Sequence, residues 1–110
     1  MSEMEENYKG YLEYELGRYQ IPGYMRAGLI RYIMHGIEPG DFLRHLLCND
    51  LMGTIGKADS TNINFLPNYA KFLYNTRVGY CYGSPHRYEQ WIAKGGAFPR
   101  NPDDQPLEPL

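Results

Sequence analysis

Residues 41–55 read DFLRHLLCNDLMGTI, and apolar side chains recur at helical spacing through the whole stretch. The pattern predicts one helix from Phe42 to Ile55, with Asp41 as its N-terminal cap. Its broad apolar stripe predicts that this helix is the best-buried element of the chain. The stripe consists of Phe42, Leu43, Leu46, Leu47, Leu51 and Ile55.

Two helices are predicted on the N-terminal side of this stretch. Glu3–Arg18 has tyrosine and leucine at helical spacing, although its two glycines weaken the pattern. A second helix is predicted from about Tyr24 to His35, and Gly36 then ends it as a left-handed cap. Pro22-Gly23 separates the two helices.

Two more helices are predicted on the C-terminal side. One spans about Asn62–Tyr74, where Pro67 either kinks the helix or opens its main part. The last begins at Ser84-Pro85, with the serine as cap and the proline at the first helical position. No alternating pattern indicates a pair of strands. We therefore predict an all-α fold, a small single-domain bundle of four to five short helices.

The ends of the chain differ from its middle. The helical domain is predicted over residues 1–96, with an acidic, tyrosine-rich segment at 1–20 and a core at 21–94. Residues 97–110 contain four prolines and three acidic residues and are expected to be extended or disordered. Between Arg18 and Lys94 there are nine basic and five acidic residues, so a mildly basic core lies between acidic ends. The basic residues of this core either favour an anionic ligand or belong to an ordinary surface of mixed, solvated charges.

The composition narrows the class of protein. Hydrophobic residues make up 43% and charged residues 22% of the 110 residues, while the 11 tyrosines predict many half-buried aromatic positions. Cys48 and Cys81 form no CxxC pair, so both are interpreted as reduced thiols in a cytoplasmic protein. No secretory signal and no apolar run long enough for a membrane span are present, and a membrane is not expected as a partner.

No catalytic signature of high specificity occurs in the sequence, and neither a cofactor nor a metal is expected. The three histidines, His35, His45 and His86, lack metal-ligand spacing relative to the cysteines. On one continuous helix, Asp50 would lie near the apolar stripe and would need a partner, while His45 and Asn49 would share a face. The Asn49-Asp50 pair is then either structural, as a cap or an ion pair with an arginine, or part of a ligand site.

A second candidate is the loop that leads into the last helix. Tyr80-Cys81-Tyr82-Gly83-Ser84 carries aromatic rings to a helix N-terminus, where free N–H groups attract anions. Phosphate binding with a base stacked on tyrosine is one interpretation of this loop, and an ordinary helix start is the other. Cys81 has no base beside it in the sequence and is interpreted as a buried thiol.

Several of these residues together resemble a group of small, uncharacterised bacteriophage accessory proteins. The resemblance covers about residues 21–94, with RYIMHGIEPG at 31–40, Phe42-Leu43, Asn49-Asp50-Leu51, Ala58-Asp59, Asn62, Leu73-Tyr74-Asn75, Cys81, Gly83-Ser84-Pro85 and Trp91. The family often has Cys-Trp-Gly-Ser in the loop, where this chain has Tyr82. The resemblance implies a viral protein made in the bacterial cytoplasm that acts by binding, for instance against a host defence.

The leading hypothesis is a non-enzymatic phage protein, oligomeric in solution, that sequesters a nucleotide-type ligand. In this hypothesis the arginines and the serine bind phosphates, the tyrosines stack on bases, and Asn49 and Asp50 bind polar edges. The alternatives are an inhibitor that blocks a host protein complex, and a small hydrolase with Asp50, His35 or His45 as base. A modestly basic core between acidic ends argues against nucleic acid. The residues assigned to the ligand are Arg26, Arg31, His35, Asn49, Asp50, Tyr80, Tyr82, Ser84 and Arg87.

Overall fold

The computed structural model describes residues 2–100, and this part of the chain is all-helical. The predicted fold class is confirmed, but the described residues form seven helices where four to five were predicted. The helices are α1 (Glu3–Arg18), α2 (Gly23–His35), α3 (Asp41–Leu47), α4 (Leu51–Lys57), α5 (Ser60–Asn64), α6 (Leu66–Asn75) and α7 (Pro85–Lys94). None of them is long and apolar enough to cross a membrane.

The single helix predicted over residues 42–55 is wrong, because the chain breaks at the Asn-Asp pair. Asn49 has a φ of +63°, a left-handed conformation that asparagine tolerates better than most residues. Asp50 then starts α4, and its carboxylate accepts a hydrogen bond from the Gly53 N–H. Asp41 is not a cap either, since Gly40 holds that position and Asp41 lies in the first turn.

The break also changes which residues of this stretch are buried. Phe42, Leu43 and Leu47 of α3 belong to the core, as predicted. Leu51 and Ile55 of α4 are exposed, by 61% and 42%, because α4 does not continue the direction of the apolar stripe. Only the first half of the predicted helix therefore contributes buried residues of the stripe to the core, and α2 buries more residues than α3 does.

The helix predicted from about Asn62 to Tyr74 is likewise two helices. Asp59 caps the short α5 by accepting from the Asn62 N–H, and the chain turns at Phe65. Pro67 lies at the start of α6, so the interpretation that it opens the main part of the helix is confirmed. Ser84 caps α7 and Gly36 caps α2 in the left-handed conformation, both as predicted.

The C-terminal ends of α2 and α7 approach closely at a pair of glycines. Gly36 and Gly96 both have positive φ, and a Cβ on Gly96 would lie 2.5 Å from the Gly36 nitrogen. Trp91 donates its indole N–H to the carbonyls of Tyr32 and Ile33, at 3.0 and 3.2 Å. The last turn of α2 is thereby satisfied by a side chain of α7.

The chain after α7 continues along the end of α2. The N–H groups of Ala97 and Phe98 donate to the carbonyls of Ile33 and Met34. These two residues begin the segment expected to be extended or disordered, and they pack against the core. The remainder of that prediction, for residues 101–110, lies outside the described residues.

Candidate functional site

Two clefts flank Asn49, which lies in the turn between α3 and α4. One, the α6 cleft, has a volume of about 440 Å³, and the other, the α7 cleft, of about 720 Å³. The α6 cleft is lined by Leu46, Asn49, Ala70, Lys71, Leu73, Tyr74, Asn75 and Tyr82. The α7 cleft is lined by Glu38, Arg44, His45, Cys48, Asn49, Asp50, Pro85, Tyr88, Glu89, Ile92 and Ala93. Both volumes fall in the range of small-molecule sites.

The α6 cleft combines an apolar wall with a few polar groups. Its one charged lining residue is Lys71, and two tyrosine rings, Tyr74 and Tyr82, border it. Tyr74 is 82% exposed, so its ring is free to contact a ligand in the cleft. The carboxamide of Asn49 makes no hydrogen bond within residues 2–100 and is available to a ligand.

The side-chain amide of Asn75 already makes one hydrogen bond within its own helix. Its Nδ2 donates to the Lys71 carbonyl at 3.0 Å, as a side chain near a helix C-terminus often does. The side-chain oxygen of Asn75 is left as an acceptor at the edge of the α6 cleft. With the amide of Asn49, the cleft thus offers both hydrogen-bond donors and acceptors.

A hydrogen-bonded pair of His45 and Asp50 fixes the turn between the two clefts. His45 Nδ1 lies 2.8 Å from Asp50 Oδ2, and the Gly53 N–H donates to Asp50 Oδ1 at 3.0 Å. These two bonds, that from Gly53 first, lower the pKa of Asp50. Because an ionised carboxylate only accepts, Nδ1 of His45 carries the hydrogen.

Asp50 therefore has a different environment from the one expected. It does not lie against the apolar stripe and it has no arginine partner, since the side chain is 48% exposed and bonded to His45. The structural alternative, a helix cap, is confirmed by its bond to Gly53. His45 and Asn49 do not share a helix face, because α3 ends at Leu47.

The loop before α7 is hydrogen-bonded to α2 and α3, and Ser84 caps the start of α7. Ser84 Oγ accepts from the Arg87 N–H, the Ser84 carbonyl accepts from the Tyr88 N–H, and Pro85 has no N–H. Few amide donors at this helix start are left for a phosphate. Gly83 donates to the Leu47 carbonyl, which ties the loop to α3.

Three other side chains at this loop, those of Tyr80, Cys81 and Arg87, are either buried or in contact with one another. The Arg87 guanidinium lies over the ring of the exposed Tyr80, 5.1 Å from its centroid. Cys81 is fully buried, and burial raises the pKa of its thiol to about 12, which agrees with the buried-thiol interpretation. Tyr82, by contrast, lines the α6 cleft.

Six of the nine residues assigned to the ligand line neither cleft: Tyr80, Ser84 and Arg87 at the loop just described, and Arg26, Arg31 and His35 on α2. The Arg26 Nε donates to the Ile21 carbonyl at 2.7 Å and closes the start of α2. The imidazole of His35 bonds to the Phe98 carbonyl at 2.9 Å and lies 3.6 Å from a Glu5 oxygen. Arg31 is exposed on α2.

The structure thus brings together only some of the nine assigned residues. Asn49 and Tyr82 meet in the α6 cleft, and Asn49 and Asp50 in the α7 cleft. The sequence interpretation missed Lys71, Tyr74 and Asn75, which lie three and four residues apart on one face of α6. The sequence feature that could have indicated these residues is the polar side of α6, opposite the buried Tyr69, Phe72 and Leu73.

No protein-family model, no curated protein and no solved structure matches the chain. Within residues 2–100 there is also no group of three or more histidine, cysteine, aspartate or glutamate side chains placed to hold a metal ion.

Proposed function

We propose that this chain is a non-enzymatic binding protein that takes a nucleotide-type ligand in the α6 cleft. The observation that carries the proposal is the composition of the cleft, in which two tyrosine rings, an unpaired asparagine amide and one lysine surround an apolar floor. A nucleobase needs a flat apolar contact and a few directed hydrogen bonds, and its phosphate needs a cation.

The charges of the two clefts favour the α6 cleft for an anion. Lys71 gives this cleft a positive group with no carboxylate among its lining residues. The α7 cleft contains three carboxylates and one arginine, which would repel a phosphate. Since Asn49 borders both clefts, its amide serves a ligand on either side.

Each residue of the α6 cleft has a definite role in the proposal. Tyr82 supplies the stacking surface and the exposed Tyr74 covers the other side of the base. The Asn49 amide binds the edge of the base, and the Lys71 ammonium binds a phosphate at the rim. Arg26, Ser84 and the other assigned residues outside the cleft are not part of this site.

The biological setting of the proposal rests on the resemblance to small phage proteins. In this setting the protein is viral and is made in the host cytoplasm. It forms a homo-oligomer and removes a nucleotide signal used in host defence. Sequestration needs tight binding without turnover, and the proposal therefore assigns no catalytic residue.

Native mass spectrometry of the full chain purified from bacteria tests the proposal. We expect an excess of a few hundred daltons per site, released on denaturation as a nucleotide, together with the mass of an oligomer. Lys71→Ala should lose the ligand, whereas Lys9→Ala, an exposed lysine outside the cleft, should keep it. Ligand retained equally by both variants, or a ligand without a phosphate, would count against the proposal.

The exposed apolar side chains of α4 favour a second candidate function, an inhibitor that blocks a host protein complex. Leu51, Met52 and Ile55 are 61%, 75% and 42% exposed, and their spacing puts them on one side of the helix. Adjacent exposed apolar residues often mark a protein interface. Capture of a host complex by the native chain, lost in Met52→Ser but not in Lys71→Ala, would favour this function over nucleotide binding.

A further inference from the structure

The α7 cleft contains a buried hydroxyl group without a partner. Tyr88 lines this cleft and is only 4% exposed, and its ring stacks on Tyr32 with centroids 5.4 Å apart. Its hydroxyl oxygen makes no hydrogen bond within residues 2–100. Buried polar groups nearly always have a partner, so this hydroxyl has an unused capacity to donate and accept a hydrogen bond.

The electrostatic surroundings of the hydroxyl belong to the same cleft. Burial raises the pKa of Tyr88 to about 12, the Glu38 carboxylate adds to the increase, and Arg44 opposes it. The phenol is therefore neutral at physiological pH. A neutral phenol both donates one hydrogen bond and accepts others, so it can satisfy a cationic N–H donor.

Two carboxylates of the cleft are without a counter-ion. Glu38 and Glu89 form no ion pair and no side-chain hydrogen bond in the described part of the chain. The cation of the cleft, Arg44, lies 3.4 Å from Asp41, a carboxylate outside the cleft. The third carboxylate, Asp50, is bonded to His45. The negative charge available to a ligand is thus that of Glu38 and Glu89.

We infer that the α7 cleft is a second binding site and that it takes an aliphatic ammonium group. Glu38 and Glu89 act as its counter-ions, and the Tyr88 oxygen accepts one of its N–H groups. The apolar wall of Pro85 and Ile92 packs against the methylene stem. A free polyamine and the lysine side chain of a partner protein both have this chemistry. The site is independent of nucleotide binding in the α6 cleft.

An NMR titration of the full chain with three probes tests the inference. The probes are cadaverine, its neutral analogue pentanediol, and the methylamide of N-acetyl-lysine. We expect millimolar binding of the amines that weakens with salt, with shifts at the amides that line the α7 cleft, and no binding of the diol. Tighter binding of cadaverine identifies a free polyamine, and tighter binding of the lysine derivative identifies a partner's side chain.

Variants separate this site from unspecific attraction of cations. Glu38→Gln and Glu89→Gln should each weaken amine binding by about threefold, as expected for exposed charge pairs. Glu13→Gln, which removes an exposed carboxylate of α1, should leave the affinity unchanged. An amine affinity of both the Glu38 and Glu89 variants equal to that of the native chain, binding of the diol as tight as that of the amines, or no binding of either amine would overturn the inference.

Tyr88→Phe distinguishes a ligand contact from a structural role. Because the hydroxyl has no partner among residues 2–100, its removal should leave the urea midpoint of the unliganded chain unchanged or raised. The same variant should weaken amine binding by about threefold or more, the usual effect of one lost hydrogen bond. A lowered midpoint with unchanged amine affinity would show that the hydroxyl acts in folding alone and would contradict its assigned contact.

Discussion

The imidazole of His45 and the carboxylate of Asp50 are joined by a hydrogen bond of 2.8 Å across the turn that ends α3. Between them in the chain lies Asn49, in the left-handed conformation. The pair fixes the turn on one side and starts α4 on the other, since Asp50 also accepts from the Gly53 N–H. This turn holds the Asn49 amide at the border of the two clefts.

Gly53 is required by this turn, and its replacement by alanine should destabilise the fold. A Cβ there would lie 2.4 Å from both Asp50 Oδ2 and His45 Nδ1, so the pair would have to separate. Relative to alanine at an unconstrained position of the same helix, we expect Gly53→Ala to lower the free energy of unfolding by about 0.5–2 kcal/mol, the usual cost of a lost N-cap.

Gly56→Ala is the matched control for Gly53→Ala, because it lies in the same helix with nothing within 4 Å of an added Cβ. Alanine is the better helix former, so this variant should gain about 0.5–1 kcal/mol. Urea denaturation of both variants measures the difference. Equal midpoints in the two would show that the His45–Asp50 pair imposes no packing constraint at Gly53.

Gly96→Ala should be more damaging than any glycine variant in α4. Its Cβ would lie 2.5–2.6 Å from backbone atoms of residues 34–36, which cannot move without separating α2 from α7. Gly96 also has a positive φ, which disfavours alanine. We therefore expect the free energy of unfolding to fall by about 2–4 kcal/mol. Thermal unfolding compares it with Gly23→Ala, where the space for a Cβ is open. Equal melting temperatures would contradict the close approach of the two helix ends.

Stability should fall in acid partly through Asp59. Its pKa is lowered first by the hydrogen bond from the Tyr24 hydroxyl and then by that from the Asn62 N–H. A carboxylate with a depressed pKa stabilises the folded state above its unfolded pKa of about 3.9, and the effect is lost as the pH falls below that value. We expect urea midpoints measured between pH 6 and pH 2.5 to fall less steeply in Asp59→Asn than in the native chain. An unchanged pH profile would exclude this contribution.

The nucleotide proposal predicts that Tyr82, which reaches the α6 cleft from the loop before α7, binds the ligand through its aromatic ring. Tyr82→Phe keeps the aromatic ring and should bind almost normally, whereas Tyr82→Leu should lose at least about fivefold in affinity, since stacking contributes about 1–3 kcal/mol. Fluorescence titration with the nucleotide recovered from the purified protein measures both. Equal losses in both variants would argue against stacking on Tyr82.

Asn49→Gly tests the amide without straining the turn. Glycine adopts the left-handed conformation of residue 49 readily, so the fold should be kept while the amide is removed. Affinity should then fall by about 2–10-fold, the range of one lost hydrogen bond. Asn49→Ala would confound the two effects, because alanine is disfavoured at positive φ. Unchanged affinity in Asn49→Gly would remove the amide from the site.

Local signals in the sequence were sufficient to predict α1, α2 and α7, but not the break at Asn49. Ser84-Pro85 begins α7, and Gly36 ends α2. Both depend on the local backbone conformation and its hydrogen bonds, so the sequence is sufficient to predict these two helix ends. At Asn49 the apolar period continues into Leu51 and Ile55, which hides the break, although both side chains are exposed. The Asn49-Asp50 pair indicates the break, but the apolar periodicity favours one continuous helix.

The α6 cleft lay beyond sequence reasoning for a different reason. Asn49, Lys71 and Tyr82 come from separate segments and meet only through the packing of α3, α6 and the loop before α7. Lys71, Tyr74 and Asn75 lie on the polar face of α6, and in a sequence such a face is not distinguished from an ordinary solvated one. The arginines were expected to join the site from their charge alone, yet Arg26 is used by the backbone of its own helix start.

The most direct test of the account is an amide NMR titration of the full chain with adenosine and guanosine mononucleotides and cyclic dinucleotides. We expect the shifts caused by at least one nucleotide to cluster at the residues that line the α6 cleft, around Asn49, Lys71 and Tyr82, and to disappear in Lys71→Ala. Shifts confined to the loop at Tyr80 and Arg87, or to α4, with the α6 cleft unaffected, would contradict it.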